Sequence, residues 1–167
     1  MKKSSLKLKL ADYDYFDDFL QLKSEPGNIY WSGFIQAPKR ENLEQHFRSA
    51  IESSTREFYL LLEENIAIGY LYIDYDESSK EIEVSYGISE KKKGHGLAKF
   101  MIKQGLSKIE CKNSTVFAWI AVSNVPSIKS AEALGFVKTQ SEDTRIFAQE
   151  EKPVTFYRYD KCNGDYL

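Results

Sequence analysis

Cysteine is scarce in this 167-residue chain: Cys111 and Cys162 stand far apart, with no second cysteine or histidine at ligand spacing. That excludes a disulfide framework and a zinc site, and no metal is expected; both thiols read as plain and reduced. Charge of one sign is missing too, since 23 Lys and Arg against 25 Asp and Glu leave a formal net charge of -2. Without a basic face to displace counterions, a nucleic-acid partner is not expected. No apolar run approaches the roughly 20 residues of a membrane helix. The basic first ten residues alternate Leu6, Leu8 and Leu10 instead of forming a signal-peptide core. A cytoplasmic protein without a membrane partner is the expectation. Internal repeats and low-complexity linkers are also lacking, so residues 1–167 read as one domain, with a loose tail after about residue 161. A chain of about 150 residues buries roughly 68–70% of its unfolded surface, enough to fold without staples.

Aromatic residues are abundant at 14%, and the apolar pattern changes period along the chain. Alternation over residues 6–10 predicts a strand. Phe16, Phe19 and Leu20 then share a helical side until Pro26-Gly27-Asn28, which reads as a stop. Leu43, Phe47, Ala50 and Ile51 predict a second helix over 39–53, with His46 on its polar face. Residues 58–62, 66–75 and 81–89 alternate around short polar turns and predict an antiparallel meander. Helical spacing returns over 94–109, where Gly105 reads as a weak point costing about 1 kcal/mol relative to Ala. Residues 115–122 form an apolar run that suits a strand covered on both faces. A helix from Asn124 to about Leu134, stopped by Gly135, precedes two last strands over 136–160. The order predicts one α+β domain with a mixed, mostly antiparallel sheet of about seven strands and helices on both faces. The helix between the fourth and fifth strands makes that pair parallel through a right-handed crossover.

Two segments carry candidate chemistry. Residues 88–98 run from a strand into Lys91-Lys92-Lys93-Gly94-His95-Gly96 and open a helix at Leu97 and Ala98. A helix start offers unpartnered N–H groups and partial positive charge, and glycines let an anion approach the backbone closely. The loop lacks the Gly-Lys-Ser/Thr of a Walker motif and the third glycine of a dinucleotide fingerprint. A charged surface turn also accounts for it. His95 reads as an exposed spacer. The second segment, Asn124-Val125-Pro126-Ser127-Ile128-Lys129-Ser130-Ala131-Glu132-Ala133-Leu134-Gly135-Phe136, is explained without any ligand as a capped amphipathic helix.

Together the two segments resemble the GNAT acetyltransferase superfamily. The first is similar to its Arg/Gln-x-x-Gly-x-Gly/Ala loop, with Lys91 in place of Arg or Gln. The second is similar to the Asn-x-x-Ser-Ile-x-x-x-Glu-x-Leu-Gly-Phe helix of the branch that includes ribosomal-protein alanine, spermidine and aminoglycoside N-acetyltransferases. Glu83-Val84-Ser85-Tyr86-Gly87-Ile88-Ser89 resembles the strand that precedes the loop.

The resemblance implies a GNAT-like fold with a splay between strands four and five, and acetyl-CoA as co-substrate. Ile88 would bond the pantetheine arm through its backbone, while Lys93, Gly94, Gly96, Leu97 and Ala98 would surround the pyrophosphate. Asn124 would meet the thioester region, and Ser127 or Lys129 the cofactor further along the helix. Many members carry a tyrosine seven residues after this Asn as the acid for the leaving thiolate. Here that position is Ala131. Ser127 is the substitute, and Glu83 is the candidate base, with Glu81 behind it; period two puts both glutamates on one strand face without any catalytic need. Tyr30, Trp31 and Phe34 are the acceptor-binding candidates, and Asp74 and Asp76 are candidates to steer a cation. The implied activity is acetyl transfer to a primary amine of a small molecule or a protein N-terminus, by a monomer or homodimer. Ala131 keeps open a CoA-binding regulatory module with weak or no turnover, and a purely structural interaction domain remains a third reading.

Overall fold

The computed structural model describes residues 5–110 and 113–163; Cys111 and residues 164–167 lie outside the described residues. Alternation at Leu6, Leu8 and Leu10 becomes β1 (Leu6–Leu10), which pairs antiparallel with β2 (Arg56–Glu63). β2, β3 (Ile66–Tyr75) and β4 (Glu81–Ile88) form the expected meander. β5 (Thr115–Ala121) joins β4 in parallel, and β7 (Val154–Cys162) inserts between β5 and β6 (Val137–Arg145). The last strand therefore continues past residue 161, through Cys162, a free exposed thiol.

Period two sorts the sheet into two cores. Phe58, Leu60 and Leu62 face α1 (Phe16–Lys23) and α3 (Arg40–Glu52) together with Phe16, Phe19, Leu22, Leu43 and Phe47. Tyr59, Leu61, Leu71, Ile73, Ile82 and Val84 face the other way, toward α4 (Leu97–Ser107) and α5 (Val125–Ala133). Phe19 and Phe47 are wholly buried with ring centroids 5.3 Å apart, and burying each side chain contributes about 1.5–3 kcal/mol.

Two local expectations change. α1 ends at Lys23, ahead of Pro26 as expected, but Pro26 also opens a further helix, α2 (Pro26–Trp31), because proline's fixed φ and missing N–H suit the first helical position. Gly105 is a packing requirement: a Cβ there would collide with the Leu71 side chain, so its absence lets α4 lie close on β3. Among the described residues, no helix is long and apolar enough to cross a membrane.

Candidate active site

The site opens where two strands part. β4 and β5 are in register at Glu81–Thr115, Ile82–Val116 and Glu83–Phe117, and there their pairing ends. Beyond that point β4 stays with β3 as far as Gly69–Ile88, while β5 stays with β7 as far as Ala121–Phe156. The Ser89 N–H donates to the Ile68 carbonyl on the β3 side, so strand alternation turns the backbone of Ile88 the other way, into the gap. The Asn28 amide of α2 reaches the Ile88 carbonyl at 3.4 Å, leaving the Ile88 N–H directed at the opening. A cleft of about 500 Å³ fills the wedge.

One end of the cleft is the loop before α4. Gly94 has φ +82° and Gly96 φ +71°, the left-handed region that glycine enters without a steric penalty, and open space lies over both. Lys93, Gly94, Gly96, Leu97 and Ala98 line this end, and no acidic residue occupies the first turn of α4. The start of an eleven-residue helix beside a lysine and an open glycine turn fits a pyrophosphate group. Lys92 is held by Glu63 at 2.6 Å, and Lys91 faces a second, smaller cavity on the Glu63 side. The loop is anchored from outside: Glu25 accepts from the Ser89 hydroxyl at 2.8 Å and the Glu90 N–H at 3.0 Å, and Glu90 accepts from the Gly27 N–H. His95 is exposed, as expected.

Across the gap, Asn124 caps α5 by accepting from the Ser127 N–H at 3.4 Å. Ser127 turns into the cleft, and its hydroxyl oxygen accepts a hydrogen bond from the Tyr86 phenol at 2.9 Å. Tyr86 shares the α4 and α5 face of the sheet with buried Ala131, the position where the resemblance would put a tyrosine acid. Burial pushes the Tyr86 phenol above its ordinary range, against the opposing pull of its bond to Ser127. A tyrosine from β4 thus brings a proton-bearing hydroxyl to the same region from another element. Sequence reasoning missed it, although the strand's alternation puts Tyr86 on the face of Ile82, Val84 and Ile88 and gave a signal.

The opposite end is aromatic. Trp31, Tyr70, Tyr72, Trp119 and Phe156 line it, with Arg145. Tyr30 stands behind them, stacked edge-on against Trp31 and Phe147 and bonded through its hydroxyl to Glu150 at 2.8 Å. The 146–149 segment is tied to the turn after α2 by the Ala148 N–H donating to the Gly33 carbonyl at 3.0 Å and by the Gln149 amide to the Phe34 carbonyl at 2.8 Å. Lys23 lies behind Tyr70, donating to the Ser32 hydroxyl at 2.8 Å and the Tyr70 hydroxyl at 3.4 Å, and burial lowers its ammonium to about 8. His46, on an exposed helix position, bonds the Tyr72 hydroxyl at 3.1 Å.

The cleft thus gathers Trp31, Ile88, Lys93, Gly94, Gly96, Leu97, Ala98, Asn124 and Ser127. Four sequence candidates stand outside its lining. Lys129 is exposed and Ser130 lines the cleft in its place, because the α5 turn rotates residue 129 outward. Phe34 is 62% exposed, beyond the wall that Trp31 makes. Tyr30 supports that wall from behind, and Glu83 sits half-buried on the strand face of Tyr72 and Asp74. Burial and the Asp74 charge raise Glu83 above the usual carboxylate range, with Arg145, Arg56 and Arg158 opposing. Glu81 is no reserve base: both of its oxygens are taken by Arg158, at 2.8 and 3.2 Å. Asp74 is likewise committed to Arg56 at 2.6 and 3.1 Å, Asp76 accepts from the Ser78 N–H and hydroxyl, and neither lines the cleft.

A parallel pair that parts beside a glycine-turn helix leaves a cleft suited to an extended ligand with an anionic end. The Acetyltransferase (GNAT) domain model matches residues 6–137, most of the chain, and the chain belongs to that family, whose enzymes are acetyl-CoA-dependent N-acetyltransferases. No curated protein sequence matches it. Among solved structures, spermidine N-acetyltransferase from Vibrio cholerae, in complex with CoA and spermine, superposes with a TM-score of 0.84 at 17% identity, over 99% of each chain. Ribosomal-protein-S5-alanine acetyltransferase from Vibrio fischeri gives 0.80 at 14% identity, over 100% of this chain and 98% of that one. An acetyltransferase from Salmonella typhimurium that modifies the N-terminal serine of ribosomal protein L7/L12 gives 0.78 at 15% identity, over 96% of each. At these identities the likeness is one of fold.

Proposed function

We propose that the protein transfers the acetyl group of acetyl-CoA directly to a primary amine, of a small molecule or a protein N-terminus, in the gap between β4 and β5. The observation that carries this is the meeting, in one cleft, of the Gly94–Gly96 turn, the inward backbone of Ile88 and the Tyr86–Ser127 hydrogen bond. Acetyl-CoA supplies an activated acetyl thioester; the protein binds it, orients it and moves two protons. Backbone N–H groups at the start of α4 and Lys93 hold the pyrophosphate, and the Ile88 N–H holds the pantetheine arm. Glu83 takes the proton that the amine must lose, through water, since its side chain stands outside the cleft lining. As the new N–C bond forms and the C–S bond breaks, Ser127 gives its proton to the departing sulfur and recovers one from Tyr86. Alignment of the two substrates supplies much of the remaining rate. Tyr86 removes the chief motive for the regulatory reading, which rested on alanine at position 131.

Thermal unfolding with acetyl-CoA at about 100 times its dissociation constant should add roughly 2.7 kcal/mol, raising the midpoint by about 5–10 °C. A panel of amines should then release free CoA thiol. No shift at millimolar acetyl-CoA would overturn the assignment, and a shift without thiol release from any amine would favour the regulatory module.

Glu83→Gln tests the base. Burial and Asp74 raise the Glu83 pKa, and a base works ionised, so wild-type turnover should fall as pH drops through that raised pKa. The variant should lose this acidic limb and turn over about 10²-fold more slowly or worse. An acidic limb kept in the variant would remove Glu83 from the mechanism.

A further inference from the structure

The aromatic end of the cleft has an unusual charge. Aromatic walls ordinarily accept a ligand cation over their faces. Here three faces already carry cations of the protein: the Lys23 ammonium lies 5.0 Å from the Tyr70 ring centre, the Arg56 guanidinium 4.3 Å from Tyr72, and the Arg145 guanidinium 4.3 Å from Phe156. They are not equally neutralised. Arg56 is matched by both oxygens of Asp74. Lys23 meets hydroxyls, those of Ser32 and Tyr70, and among the described residues it has no carboxylate partner. Arg145 touches Asp143 through Nε alone, at 3.3 Å, with side-chain exposures of 41% and 50% that leave such a pair weak. Its two terminal nitrogens make no hydrogen bond among the described residues, and Arg145 lines the cleft. No Asp or Glu among the described residues lines it. Glu83, near enough to feel Arg145, stands behind the wall on β4.

A second amine or ammonium brought to this end would meet the Arg145 guanidinium on its wall, the Lys23 ammonium behind Tyr70, and no lining carboxylate. An anionic group would meet a planar guanidinium with a free fork of donors, the geometry that binds carboxylate or phosphate through two parallel bonds. Resting on the acetyl-transfer reading above, we propose that the acceptor is a small-molecule amine that also bears an anionic group, carboxylate or phosphate, held by Arg145 against Phe156. Lys23 adds attraction from behind Tyr70, whose hydroxyl lies 2.8 Å from where a side chain on Gly87 would begin, beside the gap. Arg145 is thus a specificity-determining residue; it takes no part in the bond changes.

The test measures thiol release with matched amines: amino acids against their amides, glucosamine 6-phosphate against glucosamine, and spermidine as a polycation. The expected result is a kcat/KM at least tenfold higher for an anionic amine than for its uncharged counterpart and for spermidine, with the responding pair telling carboxylate from phosphate. Measured at a pH above the acidic limb that Glu83 sets, which loss of the Arg145 charge should move upward, Arg145→Gln should raise KM for the anionic amine at least tenfold and leave the KM of acetyl-CoA and of the uncharged amine unchanged. Arg145→Lys should recover part of the loss. Equal or better use of an uncharged amine or spermidine overturns the proposal, as does discrimination that survives Arg145→Gln. Failure to acetylate any anionic amine, while acetyl-CoA still raises the unfolding midpoint, also overturns it and leaves the cofactor cleft standing. No response to acetyl-CoA at all marks failure of the acetyl-transfer reading itself.

Discussion

Gly94→Asp is expected to weaken acetyl-CoA binding by at least 100-fold while leaving the unliganded protein folded. Two effects act in the same direction. At φ +82° an L side chain is strained, although aspartate tolerates this region better than most residues. The larger effect is charge. A carboxylate about 4 Å from a phosphate costs about 4 kcal/mol at an effective dielectric constant near 20, which alone exceeds a 100-fold loss. The fold should survive because a Cβ at this position has nothing within 4 Å. Gly94→Ala separates the two effects, since it keeps the strain and lacks the charge; its loss should be about tenfold. Calorimetric titration of both variants with acetyl-CoA checks this, and wild-type affinity in Gly94→Asp would refute the cradle.

Tyr86→Phe and Ser127→Ala should each lower kcat by about 10²–10³-fold, with the KM of acetyl-CoA changed little. Both groups serve one proton, so the double variant should be no slower than the slower single variant. Additive losses would mean that the two hydroxyls act separately. A leaving-group test makes the role specific. An acetyl thioester of a more acidic thiol departs without needing a proton, so the defect of both variants should shrink with it. A structural role would leave the defect unchanged. The neutral phenol required of Tyr86 accords with its burial, which pushes its pKa up and keeps the proton in place near pH 7.

The chemistry-bearing segments were legible because each is local. Positive φ at Gly94 and Gly96, the Asn124 cap and the strand that leads into the loop depend on neighbours in the chain, and the spacing of residues 91–96 and 124–136 carries them. The order of strands and helices was legible for the same reason, since hydrophobic period reports which side of an element is covered. The helix that Pro26 opens was not legible, because a proline that follows one helix can also begin the next, and the seat of α2 against the Glu90 loop lies sixty-three positions away. Gly105 was misread because its value lies in the Leu71 side chain opposite, thirty-four positions away.

The candidate site divides along the same line. Helix rotation removed Lys129 from the cleft, and a wall of Trp31 and Phe156 left Phe34 outside. Glu81 lost its place as a spare base to Arg158, a partner on a strand that enters the sheet last. Tyr86 and Ser127, separated by forty-one positions, become a hydrogen-bonded pair because α5 packs over the strand that carries the tyrosine. The α+β order, the glycine turn before α4 and the resemblance to the family could all be read from local pattern in the chain. Which hydroxyls, carboxylates and cations meet at the gap could not be read that way, because side-chain partnership across a sheet depends on register and packing between distant segments, and neither leaves a local pattern.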